Sequence, residues 1–421
     1  MKVRTIGAWV LIGSLLLDNV FLPFDIGFEF RLQYIIFIFA IPLYLLAFRV
    51  KANLKTLIFI FLVSLFLLIT PLLSGTYLIG SSRQLLLIFI CSVPFYLMAN
   101  SYNYNATSLF KIYLSASLLI SIISLIQFLS FVIHFKAGYD FSYLGFDMSR
   151  LDPPTYRVQG WMMEPSFLAY FLLPAAFFAI VKFFKAYDSE IKFARVSCFV
   201  ILISLLLTQS LIAYVGILLV VFIIIFEKYS FLKRPSSLLF LSVFLVFLSI
   251  GLYNVPLIKL KLDDTIDLFS GKVHDYQSVN LSSFHIYNNA MVTARATERN
   301  PLVGIGFGNF HVAYQEYAMP VNDNSSDLKP DGSSLLLRLI TETGLPFAFF
   351  FLWLVFRFRL RKTLPGKFND EWLINNGVFV LILMRLIRMG HYTVLGLPFF
   401  LIIYYLTYQN QKKMNFLEMK K

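Results

Sequence analysis

Apolar runs of roughly 17 to 25 residues, each long enough to cross a hydrocarbon core about 30 Å thick, recur from one end of the chain to the other. The first half carries them at 5–23, 32–48, 56–73, 84–100, 109–134 and 165–183. The second half carries them at 196–209, 211–226, 238–253, 334–356, 375–389 and 392–408. Hydrocarbon offers no water to the backbone, so spans of this kind must be helical. The pattern predicts an all-α polytopic membrane protein of about twelve transmembrane helices. Only Thr208, Gln209 and Ser210 divide the seventh run from the eighth, so eleven spans, one of them long and kinked, is the alternative. The first run follows Lys2 and Arg4 like a secretory signal, but no small-residue cleavage site follows and Asp18 interrupts it, which reads as a retained helix.

Composition agrees: 58% of the 421 residues are hydrophobic and 14% charged, with 47 Phe and 23 Tyr. A net charge of +13 would suit an anionic partner. Much of that charge falls in short loops, however, where it sets orientation rather than binding nucleic acid, and no nucleic-acid partner is expected. The basic groups Arg49, Lys51 and Lys55; Lys182, Lys185, Lys192 and Arg195; Lys228, Lys233 and Arg234; Arg357, Arg359, Arg361, Lys362 and Lys367; and Lys412, Lys413, Lys420 and Lys421 fall mostly on one side. Positive charge marks that side as cytoplasmic, together with both termini. The expected organisation is helices 1 to 9 over residues 1–253, with a shorter outer loop at 135–164. A large outer loop follows at 254–333, then helices 10 to 12 and a cytoplasmic tail over 334–421. Residues 281–299 have helical character, with Tyr287, Met291 and Ala294 on one side and Arg295 and Arg299 on another, and are expected to lie over the membrane mouth.

The unusual chemistry concentrates in those outer segments. Arg157 precedes Glu164 and Pro165, which places a cation and a carboxylate where the sixth span begins. Pro165 suits a first helical turn, and Glu164 suits either a cap favoured by the helix dipole or a base facing an outer pocket. Arg295 and Arg299, one turn apart, precede the run Gly304-Ile-Gly-Phe-Gly308. Their planar guanidinium forks suit phosphate; a lipid headgroup or solvent is the other reading. The glycines do not form a dinucleotide fingerprint and are read as a tight turn. Arg385, Arg388 and His391 gather at the outer end of the eleventh span, where charge is expensive and tends to face a cavity. Arg338 and Glu342, four apart, are placed to pair with each other. His134, His274, His285, His311 and His391 show no zinc-helix spacing, and Cys91 and Cys198 lie inside apolar runs, so no metal or other cofactor is expected. Two of these histidines, His311 and His391, remain acid or base candidates.

The run Arg157-Val-Gln-Gly-Trp-Met-Met-Glu-Pro-Ser-Phe-Leu-Ala, the later run Ala294-Arg-Ala-Thr-Glu-Arg-Asn-Pro-Leu-Val-Gly-Ile-Gly-Phe-Gly-Asn-Phe, and Ser334-Leu-Leu-Leu-Arg-Leu-Ile-Thr-Glu-Thr-Gly344 resemble, in that order, the O-antigen polymerase and ligase superfamily. The resemblance covers about residues 150 to 360 in motif order, and the whole chain in topology. It implies an O-antigen polymerase of the inner membrane, a glycosyltransferase of lipopolysaccharide or related surface polysaccharide biosynthesis. Such an enzyme joins undecaprenyl-diphosphate-linked oligosaccharide repeat units at the periplasmic face and needs no sugar nucleotide. A chain-length regulator protein is the implied partner beyond the bilayer and the lipid-linked substrates. Under this reading Arg157, Arg295, Arg299, Arg385 and Arg388 bind diphosphate or glycan, and Glu164, with His391 as rival, takes the acceptor's proton. Ligases of the superfamily present a histidine beside an asparagine where this chain has Pro330-Asp-Gly-Ser-Ser, which favours polymerase over ligase. The alternative outside the superfamily is a lipid-linked oligosaccharide flippase or another transporter. The sequence shows neither the paired halves nor the broken helices expected of one, and the long outer loop favours an enzyme.

Overall fold

The computed structural model describes residues 2–25, 29–50, 54–146, 148, 156–184, 189, 191–229, 253–254, 256–273, 279–319, 332–361 and 370–418. The helices are α1 (Lys2–Gly13), α2 (Leu32–Ala47), α3 (Leu54–Ser74), α4 (Leu78–Ser101), α5 (Ala106–Val132), the single turn α6 (Lys136–Tyr139), α7 (Pro165–Phe183), α8 (Arg195–Leu207) and α9 (Leu211–Tyr229). They continue with α10 (Pro256–Phe269), α11 (Leu281–Arg299), α12 (Phe310–Tyr317), α13 (Leu335–Arg357), α14 (Asp370–Arg388) and α15 (Leu397–Glu418). Eleven of the twelve predicted runs coincide with helices; the run at 238–253 lies almost wholly outside the described residues. Among the described residues, five helices, α3, α4, α5, α7 and α13, are long and apolar enough to cross a membrane, and shorter apolar helices accompany them. Separate helices stand on either side of Thr208, Gln209 and Ser210, and Gln209 has a left-handed backbone (φ 44°), so the helix is interrupted there.

Two expectations about shape need correction. The first apolar run does not continue as helix to residue 23. It tightens into a 3-10 turn at Ser14–Leu17, and the chain then forms an antiparallel hairpin, Phe21–Asp25 with Glu29–Arg31, the exception to an otherwise all-helical fold. The cause is polar: Asp18 is buried and ion-paired to Arg31 at 2.6 Å, and the Gln33 amide donates to the same carboxylate. A helix running on through Asp18 would leave that charge without a partner in an apolar setting. The second correction is that α13 is broken. Gly344 has φ 78° and ψ 172°, and the chain of residues 302–303 passes so close that a Cβ there would strike the Leu302 carbonyl group. The amide of Leu345, just past the break, donates to Pro301 O at 2.9 Å.

The core is built around α7 and α14. Nearly every α7 side chain from Phe167 to Val181 is buried, because the helix is enclosed by α5, α8, α9 and α14. Pro174 denies α7 one backbone bond. The Tyr113 hydroxyl of α5 enters just there, donating to Phe171 O while accepting from the Ala175 amide at 3.3 Å. At one end of the bundle Arg359 pairs with Glu227 at 3.1 Å, and Asn375 of α14 accepts the Leu360 amide at 2.8 Å. The opposite ends of α9, α13 and α14 carry Ser210, Ser334 and Arg388, and the candidate chemistry lies there.

The segment between α10 and α13 is not a free loop. Asn289 of α11 donates to Ser333 Oγ at 2.7 Å, and Thr293 and Thr341 share a hydroxyl contact at 2.9 Å. The buried face of α11 is Ser283, Phe284, Asn288, Asn289, Val292, Thr293 and Ala296, not Tyr287, Met291 and Ala294. That face mixes Ser, Asn and Thr with Phe284, Val292 and Ala296. The glycine run threads between α13 and the α3–α4 junction, and Gly308 (φ 75°) packs its Cα against the backbone of Gly80. A Cβ at Gly308 would lie 2.5 Å from Gly80 O, whereas at Gly145 (φ 85°) it would meet nothing within 4 Å. Gly308→Ala is therefore expected to lower the melting temperature of the detergent-solubilised protein by more than Gly145→Ala, which carries only the backbone cost of roughly 1–3 kcal/mol. Equal shifts for the two variants would contradict this packing.

Candidate functional site: a cationic cluster at one end of the bundle

Residues 156–164, which turn at Gln159–Met162, are held by buried amides. Gln127 of α5 accepts from the amides of Gln159 at 3.1 Å and Gly160 at 2.9 Å, and Val158 N donates to Leu207 O at 3.2 Å. Gly160 has φ 58° and lies against Ile120 and Ser124, so a side chain there would be both strained and crowded. Beyond it Glu164 caps α7 through its backbone, accepting from Phe167 N at 3.0 Å, with Pro165 in the first turn. The Glu164 carboxylate makes no cap bond; its Oε2 accepts from Ser166 Oγ at 3.0 Å, and the residue is half-buried. The same path delivers Arg157 to the end of α8, where its Nε donates to Thr208 O at 3.2 Å.

Two further cations converge on that place. Arg388, at the end of α14, donates to Ser282 Oγ at 2.8 Å. The next residue, Ser283, donates to the backbone carbonyl of Lys261 at 2.9 Å, which ties α10 to α11 beside Arg388. Burial, and after it the neighbouring Arg157 and Arg388 guanidinium groups, push the Lys261 ammonium down to about 8. Three cations from three chain segments thus share one region. Confining like charges away from water costs free energy, and that cost is recovered when a multivalent anion enters. Lys261 was not among the residues singled out from the sequence. Its signal was faint: Pro256 in a first helical turn, followed by a short amphipathic pattern.

Arg385 has a different setting from Arg388. It is fully buried, stacks its guanidinium 5.5 Å from the Tyr170 ring centroid, and donates to the carbonyls of His391, at 3.4 Å, and Val394. These bonds hold the turn that follows α14. The partly exposed His391 is therefore positioned through its own backbone by Arg385.

Arg295 and Arg299 lie elsewhere. Ser282 and Arg295 are separated along α11 by about 20 Å, and Ser282 and Arg299 by about 25 Å, at 1.5 Å per residue. Both arginines are exposed and hold α12: Arg295 donates to Tyr317 O at 3.0 Å, while Arg299 pairs with Glu316 at 2.6 Å and donates to the Tyr317 hydroxyl at 3.1 Å. The structure brings together Arg157 and Arg388, then Arg385 and His391, and separately Arg295 and Arg299.

Between these groups stands a buried hub. Glu342, with no exposed surface, accepts from Arg338 Nε at 2.9 Å, the Tyr392 hydroxyl at 2.8 Å, and the amides of Gly308 at 3.0 Å and Phe310 at 3.3 Å. Arg338 also donates to Gly390 O at 3.2 Å and to Gln84 at 3.3 Å, and lies 4.7 Å from the Tyr392 ring centroid. The Arg338–Glu342 pair anticipated from spacing is present and reaches far beyond its own helix. His311, on α12, lies near it; partial burial lowers its pKa, with Arg338 and Arg83 adding to the shift and Glu342 opposing it. That shift favours the neutral imidazole, the form able to accept a proton. His274 lies outside the described residues. Among the described residues, no group of three or more His, Cys, Asp or Glu is arranged to hold a metal.

No protein-family model matches the chain, and no curated protein matches it.

The cluster makes a solution prediction. Inorganic pyrophosphate, titrated into the solubilised protein, is expected to bind the wild type more tightly than Lys261→Ala at pH 7, and this advantage to shrink as the pH rises above about 8 and Lys261 loses its proton. The ligand's own ionisations act on both proteins alike and cancel in the ratio. A ratio of wild-type to Lys261→Ala affinity that stays the same between pH 7 and 9 would rule out Lys261 as a ligand.

Proposed function

We propose that the chain is a polymerase of lipid-diphosphate-linked oligosaccharide repeat units, acting at the outer face of a bacterial inner membrane. The convergence of Arg157, Lys261 and Arg388 at the end of the bundle assigned to the outside carries the reading. The order of motifs shared with the O-antigen polymerase and ligase superfamily supports it. In the reaction, a hydroxyl of the acceptor's terminal sugar attacks the anomeric carbon of the donor glycan. The new C–O bond forms as the anomeric C–O bond to diphosphate breaks, and the lipid diphosphate leaves with that electron pair. The hydroxyl proton passes to the Glu164 carboxylate or to the His391 imidazole. Atoms and charge balance with no metal, nucleotide or oxidant.

The three cations do their work at the leaving group, whose negative charge grows as the bond breaks. Fixed guanidinium and ammonium groups offset that charge without reorganising, where water would have to turn. Arg385 acts by holding the His391 turn rather than by touching phosphate. Arg295 and Arg299, drawn in the sequence analysis as diphosphate ligands, are here assigned to holding α12, outside the donor site.

A second reading has one observation in its favour. The break of α13 at Gly344 is the kind of discontinuity transporters place at their binding sites, so a lipid-linked oligosaccharide flippase is the rival. Deleting the gene in its host and resolving surface glycans by size separates the readings. Single repeat units at the surface are the expected result; loss of all surface glycan points to the flippase, and long chains left on the lipid carrier to a ligase. On complementation, Arg388→Ala is expected to leave only single units at normal protein levels, and Arg299→Ala to retain long chains. Long chains from Arg388→Ala would remove the cationic cluster from the mechanism.

A further inference from the structure

Helix α10 presents two stripes about 100° apart on its surface. Lys261, Thr265 and Leu268 form the inward one, with Leu268 only 2% exposed and Lys261 half-buried beside Ser283. The stripe of Leu262, Ile266 and Phe269 faces away, 37%, 60% and 55% exposed. Phe269 remains that exposed even though its ring meets Tyr287 edge-on at 5.0 Å. The flanks of the stripe are polar or amphipathic: Lys259 Nζ lies 5.4 Å from the Tyr253 ring centroid, and the Tyr253 hydroxyl donates to Asp263 at 2.9 Å.

The level of α10 along the bundle says what meets that stripe. Through Ser283 and Ser282 it is joined to Arg388, the last residue of α14. Through Lys261 it stands beside Arg157, which is bonded to Thr208 at the end of apolar helix α8 and lies shortly before α7 begins. The end of α14 and the end of the apolar helix α8 therefore lie near α10, and the ends of membrane helices stand where hydrocarbon gives way to headgroups. The residues preceding α10, 238–252, are apolar apart from Ser242, Ser249 and Gly251 and carry no charge, a stretch suited to lipid.

We infer that α10 is an interfacial helix, with Leu262, Ile266 and Phe269 seated in the lipid surface at this end of the bundle and Lys261 turned from that surface into the cationic cluster. A helix with an apolar stripe bordered by Lys and Tyr has the composition that settles at the headgroup boundary. The arrangement places an ammonium for a phosphate one residue from a side chain in contact with acyl chains, which fits a ligand that is itself a lipid with a phosphorylated head. The inference rests on the chain being embedded in a membrane, and not on which reaction it performs.

Spin labels test it without any assay of activity. With Cys91 and Cys198 replaced by alanine, Ile266→Cys, Phe269→Cys and Asp267→Cys would each be labelled in the full chain. Each would then be reconstituted in vesicles of phosphatidylethanolamine and phosphatidylglycerol. Labels at 266 and 269 are expected to be relaxed several-fold more by oxygen, which concentrates in lipid, than by a water-soluble nickel chelate, and the label at 267 to show the reverse. Equal access of the nickel chelate to all three positions would place the stripe in water. Immobilised labels at 266 and 269 that neither reagent reaches would mean a protein partner or a second copy of the chain covers them. Either result overturns the inference. Lipid-exposed labels in a protein that makes no polymer would leave the inference standing and remove the proposed function.

Discussion

A single buried carboxylate organises the end of the molecule where the chemistry lies. Glu342 has no contact with solvent and must find donors inside the protein, since an ionised carboxylate removed from water without them is too costly to keep. It finds four: a guanidinium on its own helix, a phenol beyond α14, and two amides of the glycine run. Each donor fixes a different piece of chain. The Gly308 and Phe310 amides seat the connection between α11 and α12, Tyr392 seats the turn after α14, and Arg338 carries the constraint on to Gly390 and Gln84. The break of α13 at Gly344 belongs to the same construction, because it admits the chain of residues 301–303 that leads into the glycine run.

With that end held, the cations fall into distinct jobs. Arg338 and Arg385 are internal braces, one held by a carboxylate, the other donating to two carbonyls beside an aromatic face. Arg299 is tied to Glu316 on an exposed face, where an ion pair contributes little to stability and serves mainly to place α12. Arg157, Lys261 and Arg388 stand apart from these because they come from unrelated segments, and both guanidinium groups act on the Lys261 ammonium. Burial first, and these two neighbours after it, lower the pKa of Lys261.

The helices were legible because apolar runs of the right length have one outcome in a bilayer, and the helices found match those runs to within a few residues over most of the described chain. The Arg338–Glu342 pair was legible from four-residue spacing, and Pro165 from its place in a first turn. What pattern could not reveal was structure held by polar contacts. Four of the seven buried residues of α11 are Ser, Asn or Thr, which carry no apolar signal; Asp18 read as a flaw in a helix and is instead the anchor of a hairpin. Lys261 became visible only when folding set it beside residues more than a hundred positions away in either direction. The five arginines drawn from the sequence divide by environment, which spacing does not encode: Arg385 buried, Arg295 and Arg299 exposed, Arg157 and Arg388 gathered.

The most direct test of the account uses the purified chain in vesicles, supplied only with lipid-diphosphate-linked repeat units, with glycan length and released lipid diphosphate both followed. Joining repeat units predicts glycans that lengthen with one lipid diphosphate freed for each new linkage, and the loss of both signals in Arg388→Ala. Repeat units that cross the bilayer with their diphosphate linkage intact, and no released lipid diphosphate, would contradict it.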